Sequence, residues 1–242
     1  MLKEIYKYHS KNFDKRRKIK HIQDINMLVF HYTGMLSCNI ALKRLCDPSS
    51  KVSSHFLIDE NGDIYRLVED KFRAWHAGRS YWRGEEDINS VSIGIELVNP
   101  GHDISYKKFP DSQISSLIDL SLELIAKYNI SKERIVGHSD ISPGRKKDPG
   151  ELFPWRELAS KGIGIWPMNT LPIDLKNDFW KNLSIIGYAH PNQILSDGKR
   201  LGADINSSDI IFAFQRHFMP SHITGELDVE TFKMVNKVAN LF

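Results

Sequence analysis

The stretch Val91-Ser92-Ile93-Gly94-Ile95-Glu96-Leu97-Val98 reads as a strand with two unlike faces. Side chains alternate across a strand, so Ile93, Ile95 and Leu97 share one face while Ser92, Gly94 and Glu96 share the other. The apolar face is suited to packing on helices. The opposite face is small everywhere except at Glu96, so that one carboxylate rises from an open floor.

On the N-terminal side, Met27 to Tyr32 is a short apolar run consistent with a buried strand that delivers His31 at its end. Ser37 is placed to cap a helix over Cys38 to Leu45. Two apolar runs, His55 to Ile58 and Asp63 to Val68, flank Glu60-Asn61-Gly62, and Asn-Gly between such runs predicts a hairpin. On the C-terminal side, Asp111 is expected to cap a long amphipathic helix with Ile114, Leu117, Ile118, Leu122 and Ile125 at helical spacing. Arg134 to His138 then resembles a strand entering a glycine- and proline-rich loop, Val136 to Gly150. Strands alternating with helices predict an α/β domain, with a mixed sheet because of the hairpin. Gly162, Gly164, Pro167 and Pro172 mark a linker. Three helical stretches follow, near 175–187, 208–219 and 228–240, with Asp228 as an N-cap.

The chain has 242 residues, room for one sizeable core or for a large domain plus a small one. Its apolar runs, such as Met27-Leu28-Val29-Phe30, are far below the roughly 20 residues that span a bilayer, and no secretory signal is readable at the start. A net charge of +3 with mixed signs argues against nucleic acid as a partner. The basic run Lys15-Arg16-Arg17-Lys18-Ile19-Lys20-His21 reads as a solvated arm. Cys38 and Cys46 lie about two helical turns apart, too far for a disulfide, and are expected to be small buried hydrophobes.

Ten histidines require a choice. His9, His21, His190, His217 and His222 fall in the arm or the tail and receive no role. His102 follows Pro100-Gly101 in a loop and reads as solvated, and His55 reads as a strand or supporting residue. His31 and His138 each stand where an apolar strand ends, the usual place for site residues in an α/β fold. Asp148 lies ten residues beyond His138, and Pro149 biases its backbone toward an extended form. His31, His138 and Asp148 together would make a three-ligand zinc site with a fourth position open. Lys146, in the same loop, reads by itself as a solvated lysine. Trp75 suits either a core or a groove.

Four segments together carry a resemblance: Leu28-Val29-Phe30-His31-Tyr32-Thr33-Gly34, Ala74-Trp75-His76-Ala77-Gly78, Ser92 to Asn99, and Gly137-His138-Ser139-Asp140-Ile141-Ser142-Pro143-Gly144-Arg145-Lys146-Lys147-Asp148-Pro149-Gly150. In this order they resemble the zinc-dependent N-acetylmuramoyl-L-alanine amidases, relatives in fold of phage lysozyme-type amidases and peptidoglycan recognition proteins. The likeness covers roughly residues 10–167. It implies Zn2+ on His31, His138 and Asp148, Glu96 as catalytic base and Lys146 as catalytic lysine. Trp75 and His76 are then expected to line the substrate groove. The tail resembles a helical peptidoglycan-binding module, on Phe212-Ala213-Phe214-Gln215-Arg216-His217-Phe218 and Gly225 to Phe232.

The expected layout is an N-terminal arm (1–25), a catalytic α/β domain (26–167), and a linker with a small all-helical domain (168–242). The resemblance implies hydrolysis of the amide between the lactyl group of N-acetylmuramic acid and L-alanine, in peptidoglycan or soluble muropeptides. A non-catalytic recognition module and another zinc peptidase of the cell wall are the rivals. The substrate and tail favour a bacterial envelope or periplasm, with a cytoplasmic recycling role as the alternative. The sequence says nothing about oligomeric state.

Overall fold

A computed structural model of the chain describes residues 4–17, 19–168, 178–202 and 205–242. In chain order the elements are β1 (Glu4–Ile5), β2 (Phe13–Lys15), β3 (Met27–Tyr32), α1 (Cys38–Cys46), β4 (Phe56–Ile58), β5 (Ile64–Arg66), β6 (Phe72–Ala74), α2 (Ile88–Val91) and β7 (Ser92–Leu97). They continue with α3 (Asp111–Tyr128), β8 (Ile135–Gly137), α4 (His138–Ile141), α5 (Trp155–Ser160), α6 (Phe179–Ile186), α7 (Ser207–Phe218) and α8 (Val229–Ala239).

Six strands form one sheet in the order β1-β5-β4-β7-β3-β8, and β2 with β6 forms a separate antiparallel pair. Within the large sheet only the β4–β5 pairing is antiparallel, which is the hairpin expected at Asn61-Gly62. The sheet is therefore mixed, as the hairpin predicted. Sheet parity then sorts the core. Leu28 and Phe30 of β3, with Ile93, Ile95 and Leu97 of β7, pack against Leu117, Leu120 and Leu124 of α3. Met27 and Val29 point the other way and share a second cluster with Phe179, Leu183, Phe214 and Val235 of the tail helices. His31 has the parity of Met27 and Val29, so it emerges on the tail side of the sheet.

Several local expectations need correction. Pro110, not Asp111, occupies the cap position of α3, and Asp111 is its first helical residue, where a carboxylate meets the positive end of the helix. Leu122 is 41% exposed. The buried stripe of α3 runs through Gln113, Leu117, Ser121, Leu124 and Tyr128, and Leu122 lies about 140° around the helix from Leu117. Two polar residues in that stripe disguised its centre. Gln113 earns its buried place by donating from Nε2 to the carbonyls of Ile58 and Val98.

The arm is not simply solvated. β1 and β2 extend β5 and β6, and Arg16 donates to the carbonyls of Asp70, Asn89, Ser90 and Ser92. Cys38 and Cys46 are free thiols, half-buried rather than buried. The three tail helices arise near their expected positions, with Asp228 accepting from the Thr231 amide as the N-cap of α8. Residues 169–172 of the linker and 175–177 of the first helical stretch lie outside the described residues.

Candidate metal centre

The parallel register pairs His31 with Glu96, so the two side chains stand on neighbouring strands and on the same face. His138 opens α4 directly after β8, the strand on the other side of β3. The chain then loops out and returns Asp148 to the same point through a cis Asp148–Pro149 peptide bond. One ligand-capable atom of each of His31, His138 and Asp148 lies within 4.8 Å of the other two, and all three residues are buried. The atoms are His31 Nδ1, His138 Nδ1 and Asp148 Oδ2, with separations of 2.9 Å, 3.0 Å and 3.0 Å.

The surrounding hydrogen bonds decide where the ring protons sit. Ser92 spends its hydroxyl proton on the Ile88 carbonyl at 2.6 Å, so His76 Nε2–H donates to Ser92 Oγ at 3.1 Å. His76 Nδ1 is then an acceptor, and His31 Nε2–H donates to it at 3.1 Å. That leaves a lone pair on His31 Nδ1. On the other histidine, Nε2–H donates to the Ala77 carbonyl at 3.0 Å and frees Nδ1 in the same way. Two imidazole lone pairs and a carboxylate oxygen thus converge with no proton between them. Such a donor set calls for a cation, and nitrogen plus oxygen ligands suit zinc.

Electrostatics agree with that reading. Burial pushes the His31 ring down to about 4, with His138 adding to the effect, so His31 is neutral at pH 7. Burial disfavours the Asp148 carboxylate, but the adjoining His138 and His31 outweigh it and hold its pKa well below the ordinary range. Glu96 behaves oppositely. Burial and the charge of Asp148 push its carboxyl up to about 8, against the pull of Lys146. Glu96 Oε2 is buried without a hydrogen-bond partner among the described residues.

Glu96, Asp148, Lys146, Trp75 and Tyr32 border a cavity of about 390 Å³, together with Arg44, Arg145 and Lys147. The Trp75 ring borders it while its Nε1 donates to Asp14. His76 is only 7% exposed, and both its nitrogens are engaged within the protein. It also borders the cavity, and its ring contacts His31 and His55. A Cβ at Gly94 would fall 2.5 Å from the His76 ring, so the smallness of the β7 floor makes room for this second histidine. The amides of His76 and Ala77 both donate to Asn89 Oδ1.

Of the other supports, only His55 was offered as a supporting residue by the sequence. His55 lies behind His76, its Nδ1 accepting from the Gly94 amide and its Nε2 2.9 Å from Arg16. Burial and Arg16 push it down to about 3. His102 is not solvated. It bonds Tyr32 and Glu151 and stacks on Tyr106, whose hydroxyl donates to the Pro149 carbonyl and accepts from the Leu152 amide.

The comparisons with known proteins converge on one group. A family described as N-acetylmuramoyl-L-alanine amidase matches residues 22–151. The N-acetylmuramoyl-L-alanine amidase AmiD of Escherichia coli is 38% identical over 232 residues, covering 86% of this chain and 79% of the relative. The 1,6-anhydro-N-acetylmuramyl-L-alanine amidase AmpD of Haemophilus influenzae is 36% identical over 178 residues, covering 66% of this chain and 93% of the relative. In structure, AmiD from E. coli in complex with the substrate anhydro-N-acetylmuramic acid-L-Ala-D-gamma-Glu-L-Lys superposes with a TM-score of 0.76 at 33% identity, covering 96% of this chain and 99% of that one. AmpDh3 from Pseudomonas aeruginosa gives the same TM-score at 30% identity, covering 100% and 99%. The fold, the convergent donor set and these likenesses together make this chain a member of the N-acetylmuramoyl-L-alanine amidase family.

Proposed function

We propose that this protein hydrolyses the amide between the lactyl group of N-acetylmuramic acid and L-alanine, with zinc held by His31, His138 and Asp148. The observation that carries the reading is the convergence of three proton-free donors beside a buried carboxylate on the neighbouring strand. Zinc, when bound, polarises the amide carbonyl and lowers the pKa of its water to about 7.

The chain's own residues supply the rest. A buried carboxylate beside the donor cluster can take a proton from water and return it to the departing amine, and Glu96 stands in that place. Lys146, on the loop that returns Asp148 to the centre, is the cation available to hold the developing oxyanion. Trp75 offers an indole face to sugar or peptide. The substrate named for the E. coli relative contains γ-linked D-glutamate, which leaves a free carboxylate. Arg44, Arg145 and Lys147 give the cavity a matching positive border.

A recognition module without activity would need neither three converging donors nor a buried carboxylate beside them, and their presence here supports an enzyme. Such a substrate favours the bacterial envelope as the place of action, with soluble muropeptide recycling as the second setting. No helix among the described residues is long and apolar enough to cross a membrane. Mass spectrometry of digests of intact sacculi and of soluble anhydro-muropeptides tests the proposal. Peptides beginning with L-alanine support it, and products cut elsewhere in the stem overturn it. The better-cleaved of the two substrates decides the setting.

A further inference from the structure

The metal-bearing loop leans on the C-terminal helices at one buried carboxylate. Asp140, two residues after His138, is 1% exposed. Its Oδ2 accepts from the Gly137 amide at 2.8 Å, which ties down the turn from β8 into α4. The same carboxylate takes two bonds from the tail. Tyr188 donates its hydroxyl to Oδ1 at 2.6 Å, and His217 Nδ1 donates to Oδ2 at 2.8 Å. His217 is itself fixed between flat surfaces, with its ring centroid 3.8 Å from that of Trp155 and 4.0 Å from that of Phe218, each nearly parallel.

The turn has no slack. A Cβ at Gly137 would lie 2.5 Å from Pro149 Cδ and 3.3 Å from Trp155, so the two arms of the loop touch behind the metal donors. At its far end, a Cβ at Gly144 would meet the Asp209 side chain at 3.0 Å. Helix α7 therefore lies along the back of the loop, with His217 at one end and Asp209 at the other.

A buried carboxylate beside a metal ligand needs its hydrogen bonds filled, because an unpaired charge in that place is strongly unfavourable. Of the three bonds that Asp140 accepts from Gly137, Tyr188 and His217, the tail supplies two. We propose that Tyr188 and His217 are positioning residues for the metal site: they hold Asp140, and through the Gly137–His138 turn they fix where His138 Nδ1 points. The helical tail is thus a structural part of the catalytic centre, whatever it does toward the cell wall. The inference rests on the metal reading above, and the experiment separates the two.

The test uses the full chain as His217→Ala, His217→Asn and Tyr188→Phe. Zinc affinity is measured by competition with a chromophoric chelator, the visible spectrum is recorded with cobalt(II) in place of zinc, and sacculus binding is measured by pelleting. Binding of one zinc by the wild-type protein establishes the site, and failure there overturns the metal reading independently of the tail. Partners behind a ligand change metal affinity by about 10–100-fold. His217→Ala is expected in that range, with an altered cobalt spectrum. His217→Asn keeps an N–H donor in place of Nδ1 and is expected to recover most of the loss. Tyr188→Phe removes a single hydroxyl, keeps the ring, and is expected to weaken zinc several-fold, which decides the matter if His217→Ala fails to fold. Unchanged zinc affinity and cobalt spectrum in Tyr188→Phe, together with a His217→Ala protein that only melts earlier, overturn the proposal. So does loss of sacculus binding with zinc affinity intact, which assigns these residues to wall contact.

Discussion

The floor and the loop reach the same donor cluster by different means. On the floor, His31 and Glu96 are set side by side by strand register, and each strand is hydrogen-bonded on both sides in the middle of the sheet. Behind them His76, Ser92 and the Ile88 carbonyl form a single relay. On the loop, His138 opens the single turn α4 and Asp148 lies in irregular chain, both outside any sheet ladder. Their positions depend on contacts from elsewhere: the Ala77 carbonyl, the Tyr106 hydroxyl, and the pair Tyr188 and His217 on Asp140. Regular structure places a side chain at no further cost, whereas a loop needs a brace for each one.

The largest expected effect removes a donor from either region. His31→Ala and Asp148→Ala should both lose stoichiometric zinc, as read by elemental analysis, and with it all measurable turnover. Retention of full metal by Asp148→Ala would mean that the loop does not supply the third ligand. Glu96→Gln should keep its zinc while kcat falls by about 10²–10⁴-fold, the span of general acid–base catalysis. Near-normal kcat would remove Glu96 from that role and leave the floor with a purely structural carboxylate.

His76→Ala tests whether the floor relay matters as its geometry implies. The expected loss is about 10–100-fold in zinc affinity. An increase in KM with zinc affinity unchanged would instead restore His76 to the substrate groove. Chelation sharpens the contrast directly. Amide exchange should quicken across 138–150 and stay unchanged across 27–32 and 92–97, because only the loop relies on the metal for cohesion. Equal quickening in both regions would erase the distinction.

The smallest effect concerns pH. In metal-free protein the Glu96 carboxyl has a higher proton affinity folded, up to about 8, than in the unfolded chain. Its contribution to stability is therefore complete below the unfolded value and is lost as pH rises through about 8. Wild type should lose melting temperature relative to Glu96→Gln as pH rises from 5 to 8. A constant difference across that range would show that Glu96 has an ordinary carboxyl.

The same contrast explains what could be read from the sequence. Strand residues announce themselves by parity, so Glu96 on its floor, His31 at a strand end and the Asn61-Gly62 hairpin were all visible in the chain. His138 and Asp148 were legible by type and by the strand before them. Their braces were not. Tyr188 and His217 reach Asp140 across the whole tail, and no local pattern marks them. His76 was legible as a groove residue because it follows Trp75, and it does border the cavity; its place beneath His31 was not legible. Arg16 looked solvated because it sits in a basic run. Its burial depends on the β2–β6 pairing and on carbonyls far along the chain.

Tyr188 and Asp140 are 48 positions apart in the chain, yet they share one proton bridge behind the loop. A wall-binding appendage joined by a tether could be traded between enzymes as a cassette. This one could not be exchanged so freely. Any replacement would have to bring its own hydroxyl and imidazole to the same carboxylate, so the two parts of this chain are expected to have changed together.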